Sequence, residues 1–388
     1  MANTQNGITV NHLPSLTWNR LRVNSAFVDL ASLPETQGEA VQIQANTEEV
    51  LTRQEPASAA SAWADTFSGG IRREAYIAGK RAIYQEQVFA TGLGREFTDL
   101  IDSTVPYTDI YTVEAGQKLE KPVVLRWEFA DGTRAAAQQI IHAREGAEAV
   151  FLIVQESDRQ AAGHAMFETK LILEKGAKVN LIKVNLLGDG FVLLDDTAAV
   201  QGEDTGFTLT QMLLGGGRTY AGCYADLSGD RSSFVTNTGY LGYGARLLDI
   251  NYVAVQRGRK TESRMYLNGA LKDESQKVFR GTIDLRKGSK GSVGDEQEDV
   301  LLLDPKVVNK QVPVILTEEE DVNGRHGATI GNLADDMMFY LGTRGIGKYE
   351  AEMLMTRGRL MSIAQTIPDE ETIGKIYFRI KGIFEKDE

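Results

Sequence analysis

From Pro106 onward the chain settles into a two-residue alternation of apolar and polar side chains that persists for about 220 residues, and few folds can accommodate that. Val123, Leu125, Trp127 and Phe129 alternate with polar neighbours, as do Phe167, Thr169, Leu171 and Leu173, and then Leu248, Ile250, Tyr252 and Ala254. A second regularity lies on top of it. Short polar turns, several with glycine, introduce strand after strand: EKGAKV from Glu174, GEDTGF from Gly202, SGDRSSF from Ser228, RGRKTESR from Arg257, KDESQKV from Lys272 and RKGSKGSV from Arg286. The first four recur at roughly 26–29 residues, the range in which repeat architectures announce themselves. Strands at that period with no helix between them fit one coil of a solenoid each, and the expected fold is a mainly β, right-handed parallel β-helix. A β-sandwich or barrel is the competing arrangement.

The flanks read differently. Asp29 to Ala60 is polar and weakly periodic, as connecting structure is, and Ile71 to Ile101 carries apolar residues that suggest one or two helices broken near Gly92-Leu93-Gly94. After His326 helical spacing returns, with Ala351, Leu354, Met355, Gly358, Met361, Ala364 and Gln365 on one face and Pro368 ending the run. Ile373 to Phe384 interleaves apolar and basic residues, the pattern of a docking surface. The expected organisation is a mixed, partly helical region over 1–105, a β-helix over 106–325 and a helical region over 326–388. The flanking segments would cover the ends of the solenoid, where unpaired strands invite association.

Composition narrows the function. With 42 Lys+Arg against 54 Asp+Glu, the net charge of −12 repels a polyanion, so no nucleic-acid partner is expected. The opening MANTQNGITVNHLP lacks a basic segment followed by an apolar one, and no run of about 18 apolar residues occurs, so a cytoplasmic protein with no membrane partner is expected. One cysteine, Cys223, cannot form an internal disulfide or supply a thiolate cluster site, and its place among strands points to a buried structural thiol. The four histidines, His12, His142, His164 and His326, stand at no familiar metal-ligand spacing.

Three short features invite chemistry. Gly342 to Lys348 (GTRGIGK) has the spacing of a phosphate-binding loop. Yet Tyr349 stands where Ser or Thr would hold magnesium and helical residues precede it, so a glycine-rich turn is expected rather than a nucleotide site using Lys348. The pairs Asp195-Asp196 and Asp335-Asp336 raise the alternative of a cytosolic β-helix enzyme acting on carbohydrate. Adjacent residues on a strand point to opposite faces, however, so solvated turns or a helix N-terminus account for them better. His326, between Arg325 and Gly327 where the strand pattern ends, is either a corner residue satisfied by backbone or a ligand offered at an edge.

The stretch from Lys277 to Ile346 carries Phe279-Arg280-Gly281-Thr282-Ile283, Gln297 with Leu301 to Leu303, Pro313, Asp321-Val322, His326-Gly327-Ala328-Thr329, Phe339-Tyr340-Leu341 and Arg344-Gly345. In that order these resemble the most distinctive part of the SufB/SufD family of iron–sulfur cluster assembly proteins. The resemblance implies a β-helix core with helical ends, and a non-catalytic scaffold subunit working with SufB and the ATPase SufC, which would bind the ATP. It implies a transient cluster at the SufB interface, with nothing tightly bound to the isolated chain. A reduced flavin in the complex and homodimers of the isolated chain are compatible with it. The C-terminal helices, through Tyr340, Arg344, Leu354 and Met355, would dock the ATPase. SufB-like members, and some SufD-like ones, place cysteine two positions before the histidine, and here that position is Gly324. The departure argues for the SufD-like branch, with His326 as the remaining ligand, shared with a partner, or proton acceptor.

Overall fold

The computed structural model describes residues 7–15, 17, 19–29, 89–105, 107–332 and 335–385, together with the backbone of strands at 43–44, 50–51, 64–67 and 71–77. The early strands are β1 (Gly7–Val10), β2 (Ala26–Asp29), β3 (Ile43–Gln44), β4 (Val50–Leu51), β5 (Ala64–Phe67) and β6 (Ile71–Ile77), and helix α1 (Arg95–Thr104) follows them. The solenoid begins with β7 (Tyr107–Val113), β8 (Val123–Phe129), β9 (Arg134–Ala143), β10 (Glu148–Ser157), β11 (Ala162–Leu173), β12 (Lys178–Leu186), β13 (Gly190–Gln201) and β14 (Gly206–Leu213). It continues through β15 (Arg218–Leu227), β16 (Ser233–Gly242), β17 (Leu247–Gln256), β18 (Glu262–Leu271), β19 (Gln276–Leu285), β20 (Ser292–Leu302), β21 (Val308–Thr317) and β22 (Val322–Gly331). Helices α2 (Asp335–Thr343), α3 (Lys348–Ala364) and α4 (Glu370–Phe384) close the chain.

Even-numbered strands from β8 to β22 form one eight-stranded sheet, and odd-numbered strands from β7 to β21 form most of a ten-stranded one. The pairing within the solenoid is parallel: Glu148 faces Lys178, Lys178 faces Gly206, Gly206 faces Ser233 and Ser233 faces Glu262. The chain is therefore a parallel β-solenoid of about eight turns, each using roughly 30 residues. A recurring turn sets this register. Gly116, Gly146, Gly176, Asp204, Arg231 and Lys260 all adopt positive φ. The N–H of each donates to a carbonyl in the next turn down the stack, as Gly176 does to Glu203 at 2.8 Å and Asp204 to Asp230 at 2.9 Å. Only the left-handed conformation turns that N–H along the solenoid axis, which is why glycine holds three of these six places.

The alternating residues fill the lumen. Leu125, Trp127, Phe167, Leu171, Ile250, Tyr252 and Cys223 lie in one continuous buried cluster, with edge-to-face contacts between Trp127 and Phe167 at 5.0 Å and between Tyr252 and Phe279 at 5.9 Å. Polar groups interrupt it. Lys183 Nζ donates to Asp195 Oδ1 at 2.5 Å and to Thr197 Oγ1 at 3.0 Å, Gln211 Nε2 donates to Asp195 Oδ2 at 3.2 Å, and the Tyr252 hydroxyl donates to Gln211 Oε1 at 2.5 Å.

The flanking helices cover faces, not ends. Helix α1 and the β1–β2 hairpin pack on the outer face of the ten-stranded sheet, against Met166, Leu194 and Tyr220. Helices α3 and α4 pack on the outer face of the eight-stranded sheet, against Ile182, Val184, Leu186, Met212 and Leu241. The expectation that helical segments cap the ends is thus corrected. At the first end, antiparallel β6 and β5 extend the ten-stranded sheet, so Ile71–Ile77 is strand where helix was expected; Ile83 and Val88 lie outside the described residues. At the last end β21 and β22 are the terminal strands of their sheets. The strand pattern also runs through His326 to Gly331, and helix resumes only at Asp335.

In α3 the buried stripe is Ala351, Glu352, Thr356, Leu360, Ile363 and Ala364, while Leu354 and Gly358 face outward. Sequence reasoning placed the stripe elsewhere because two of its members are polar: Glu352 is held by Lys348 at 3.5 Å. The apolar residues Ile376, Ile380 and Phe384 of α4 are spent on the solenoid itself and leave Phe378 exposed.

A wholly buried ion pair is strongly unbalanced by losing one partner. Asp195→Ala, which strands the Lys183 ammonium in the lumen, is expected to cost about 3–5 kcal/mol, whereas the double change Lys183→Met with Asp195→Leu should recover most of it. Denaturant unfolding midpoints of the three proteins check this.

Candidate site at the open end of the solenoid

His326 lies on the terminal strand β22, directly in register with Glu296 of β20. Parallel neighbours in register point to the same side, and the Glu296 carboxylate lies within the lumen, where Gln311 Nε2 donates to it at 3.2 Å. The imidazole therefore sits on the lumen side of the last coil, and it is solvent-exposed because no described strand follows. Its neighbour Arg325 takes the opposite face and pairs with Asp295 at 3.1 Å. Gly324, two residues before His326, also faces the lumen: a Cβ there would come 2.9 Å from Ile315 Cγ2.

One layer below the mouth lies a second charged group. The Lys277 ammonium pairs closely with Glu298 Oε1, and the Tyr240 hydroxyl donates to the same oxygen at 2.6 Å. Burial lowers the Lys277 pKa and raises that of Tyr240. Glu296 is pushed up to about 7, chiefly by burial, with the Glu298 charge adding to it. These four residues escaped sequence reasoning. Lys277, Glu296 and Glu298 occupy inward phases of their strands, a signal that could have revealed them, since charged residues at apolar phases are buried only when paired.

The other expected features resolve as follows. Gly342 to Lys348 connects α2 to α3, so the lysine follows a helix and opens another, without the strand that a phosphate-binding loop requires. Asp195 and Asp196 do face opposite sides of their strand, but both are buried, and the solvated turn expected for them is corrected. Asp336 stands in the first turn of α2, as expected of a helix N-terminus. Cys223 is fully buried and its thiol is held far above its ordinary pKa by burial and the nearby Asp196. Among the residues expected to dock an ATPase, Tyr340 and Leu354 are exposed, with Arg344 over the Tyr340 ring at 5.1 Å from its centroid. Met355 instead is half-buried and packs against the cluster beneath α3. Phe339 and Met337 extend the exposed apolar surface of α2, and Phe339 is its most exposed member at 75%.

The raised pKa of Glu296 has a definite sign. An acid whose folded pKa exceeds its unfolded value supports folding below the unfolded pKa, and that support is lost as pH rises to about 7. Glu296→Gln, neutral at every pH, should leave stability unchanged at pH 4 and raise it at pH 8 by up to about 3 kcal/mol. Thermal unfolding of both proteins at the two pH values checks this.

Comparison with known proteins agrees with this architecture. The family model described as "SUF system FeS cluster assembly, SufBD core domain" matches residues 128–359, more than half of the chain. The iron-sulfur cluster assembly protein SufD of Bacillus subtilis is 26% identical over 203 residues, which cover 52% of this chain and 46% of that protein. SufD of Escherichia coli is 23% identical over 293 residues, covering 73% of this chain and 68% of that protein. The matched region thus spans about half the length of the Bacillus relative. The match runs from the end of β8 through most of the solenoid to the terminal histidine strand and into α3, and the chain belongs to the SufBD family of SUF-system iron–sulfur cluster assembly proteins.

Proposed function

We propose that this chain is a SufD-like scaffold subunit that supports iron–sulfur cluster formation at an interface with SufB and docks the ATPase SufC in the cytoplasm. The observation that carries this reading is the terminal strand β22, whose outer edge has no strand neighbour among the described residues and which presents His326 on its lumen side. An unpaired strand edge is a template for another chain's strand. A single imidazole cannot hold a cluster, but it can complete a ligand set whose thiolates come from a partner, or accept a proton there. The cluster is cargo in this scheme, passing through an interface and then leaving it.

Docking of the ATPase belongs to the other surface. Phe339, Tyr340 and Leu354 expose large apolar side chains on α2 and α3, and Arg344 adds a cation beside them; aromatic and arginine anchors of this kind dominate interfaces. Met355 supports that surface from beneath rather than touching the partner. Because α3 packs across β16 and β18, a force on the helices acts on the solenoid wall as well as on its end. Movement of the ATPase could in this way open the cluster-forming edge as a rigid-body change.

Co-expression with SufB and SufC homologues tests both surfaces. His326→Ala is expected to assemble normally and to form less than a tenth of the wild-type cluster, read by anaerobic absorbance; normal cluster formation would make His326 a structural residue. Tyr340→Glu combined with Leu354→Glu should lose SufC on copurification and retain SufB. Retention of both partners would overturn the docking surface.

A further inference from the structure

On the outer face of the ten-stranded sheet, Glu168 of β11 stands directly in register with Asp196 of β13. Both side chains are fully buried. Two carboxylates opposite one another on neighbouring strands repel, and burial strengthens the repulsion. What buries them is α1 and the segment leading into it. Thr98 of α1 donates to Glu168 Oε1 at 2.8 Å, and Leu93 N–H donates to Asp196 Oδ2 at 3.1 Å.

The lead-in lies flat on the sheet. A Cβ on Gly92 would be 2.0 Å from Cys223 N, and one on Gly222 would be 2.5 Å from Leu93 N, so no side chain separates the two backbones. Asn251 Nδ2 donates to Gly92 O at 2.7 Å and Asn11 N–H to Leu93 O at 3.1 Å. The apolar part of the contact sets Leu93, Phe97 and Ile101 against Met166, Leu194 and Tyr220.

The surrounding charges are few. Lys170 of β11 pairs with Glu168 Oε2 at 2.9 Å. Gln138 of β9 donates to Glu168 Oε2 at 2.5 Å and to Asp102 of α1 at 2.7 Å. Thr197 N–H donates to Asp196 Oδ1 at 2.9 Å. From the lumen side of the sheet, Lys183 reaches the Asp196 carbonyl at 3.2 Å, its charge already matched by Asp195. Among the described residues, Lys170 is thus the cation that answers the acids beneath α1, and it reaches Glu168; β15 contributes Gly222 and the Tyr220 phenol on this face and the neutral Cys223 thiol on the other.

We propose that Asp196, set beside Glu168, forms an acid-tightened latch that holds α1 and its lead-in on the ten-stranded sheet and loosens when the Asp196 carboxyl is ionised. Burial, and then the Glu168 charge, push Asp196 up to about 7. The sign follows from linkage. When α1 lifts, water reaches Asp196 and its pKa falls back toward the ordinary carboxylate value, so docking releases no proton while lifting does. Docking is therefore strongest in acid, weakens as pH rises through about 7, and levels off above it. Near neutrality the latch stands close to its weakest state, poised for a partner or a pH change to set it. Lifting α1 would uncover Met166, Leu194 and Tyr220 on the solenoid wall, a surface separate from the open end that carries His326.

Amide hydrogen exchange on the full chain tests this, with rates corrected for the intrinsic effect of pH. Between pH 5 and pH 8 protection of residues 92–104 is expected to fall at least tenfold, while protection of β16 and β17 stays constant. Glu168→Gln removes the like charge and should reduce that fall, with burial of Asp196 sustaining the remainder. Asp196→Asn, which cannot ionise, should abolish it, and the Glu168 variant keeps the test open if the Asp196 variant does not fold. A pH-independent protection of α1 in the wild type, or a fall of unchanged size in the Glu168 variant, overturns the latch.

Discussion

Everything in this molecule hangs on the parallel backbone ladder between successive coils. Each strand of the solenoid satisfies its N–H and C=O groups with the coil before and the coil after, so no coil is stable alone and the register is passed along the stack. The left-handed turn residues keep that register because their N–H groups continue the ladder around the corner. The same dependence makes the ends special. Antiparallel β5 and β6 continue one sheet at the first end, whereas β21 and β22 stop with one edge each unsatisfied by any described strand. The candidate site is at that discontinuity, where a solenoid is by construction incomplete.

Charge is the second constraint. A narrow lumen built mostly from Leu, Ile, Val and aromatic residues nonetheless holds Lys183 with Asp195, and Lys277 with Glu298. Such pairs contribute little net stability, because desolvation offsets their attraction, but they penalise any slip that would separate the partners. A shift of one residue in register would turn each of these charges to the opposite face. They therefore serve uniqueness of pairing between the two sheets. On the outer wall the arrangement is less balanced, since Glu168 has Lys170 while Asp196 in register beside it is held by the N–H groups of Leu93 and Thr197, and there the N-terminal helix becomes sensitive to protonation.

The two-residue period and the spacing of polar turns were legible in the sequence because both report local geometry: alternation follows from the pleat, and turn residues from the sterics of positive φ. Leu248, Ile250, Tyr252 and Ala254 lie in the lumen, as their spacing requires. His326 was legible only through the ordered motif around it, since a single histidine has no periodicity to betray it. For Glu296 and Lys277 the inward phase was legible but the pairing was not, and Tyr240 gave no sign of its role. Their partners lie 15 or more positions away in the chain, and nothing local marks an inward charge as paired.

Sequence by itself determined the solenoid, its strand phases and its family, since each is written in short-range pattern or in ordered motif. Tertiary structure alone decided where the helices rest. The apolar stripe of α4 is as compatible with a foreign partner as with the solenoid wall, and the stripe of α3 includes Glu352 and Thr356, which read as exposed until Lys348 and the sheet are seen around them. It also decided that no described strand follows β21 and β22 and that Glu168 meets Asp196. Contacts between residues about one coil apart depend on how coils stack, and stacking is a property of the folded chain that no local propensity encodes.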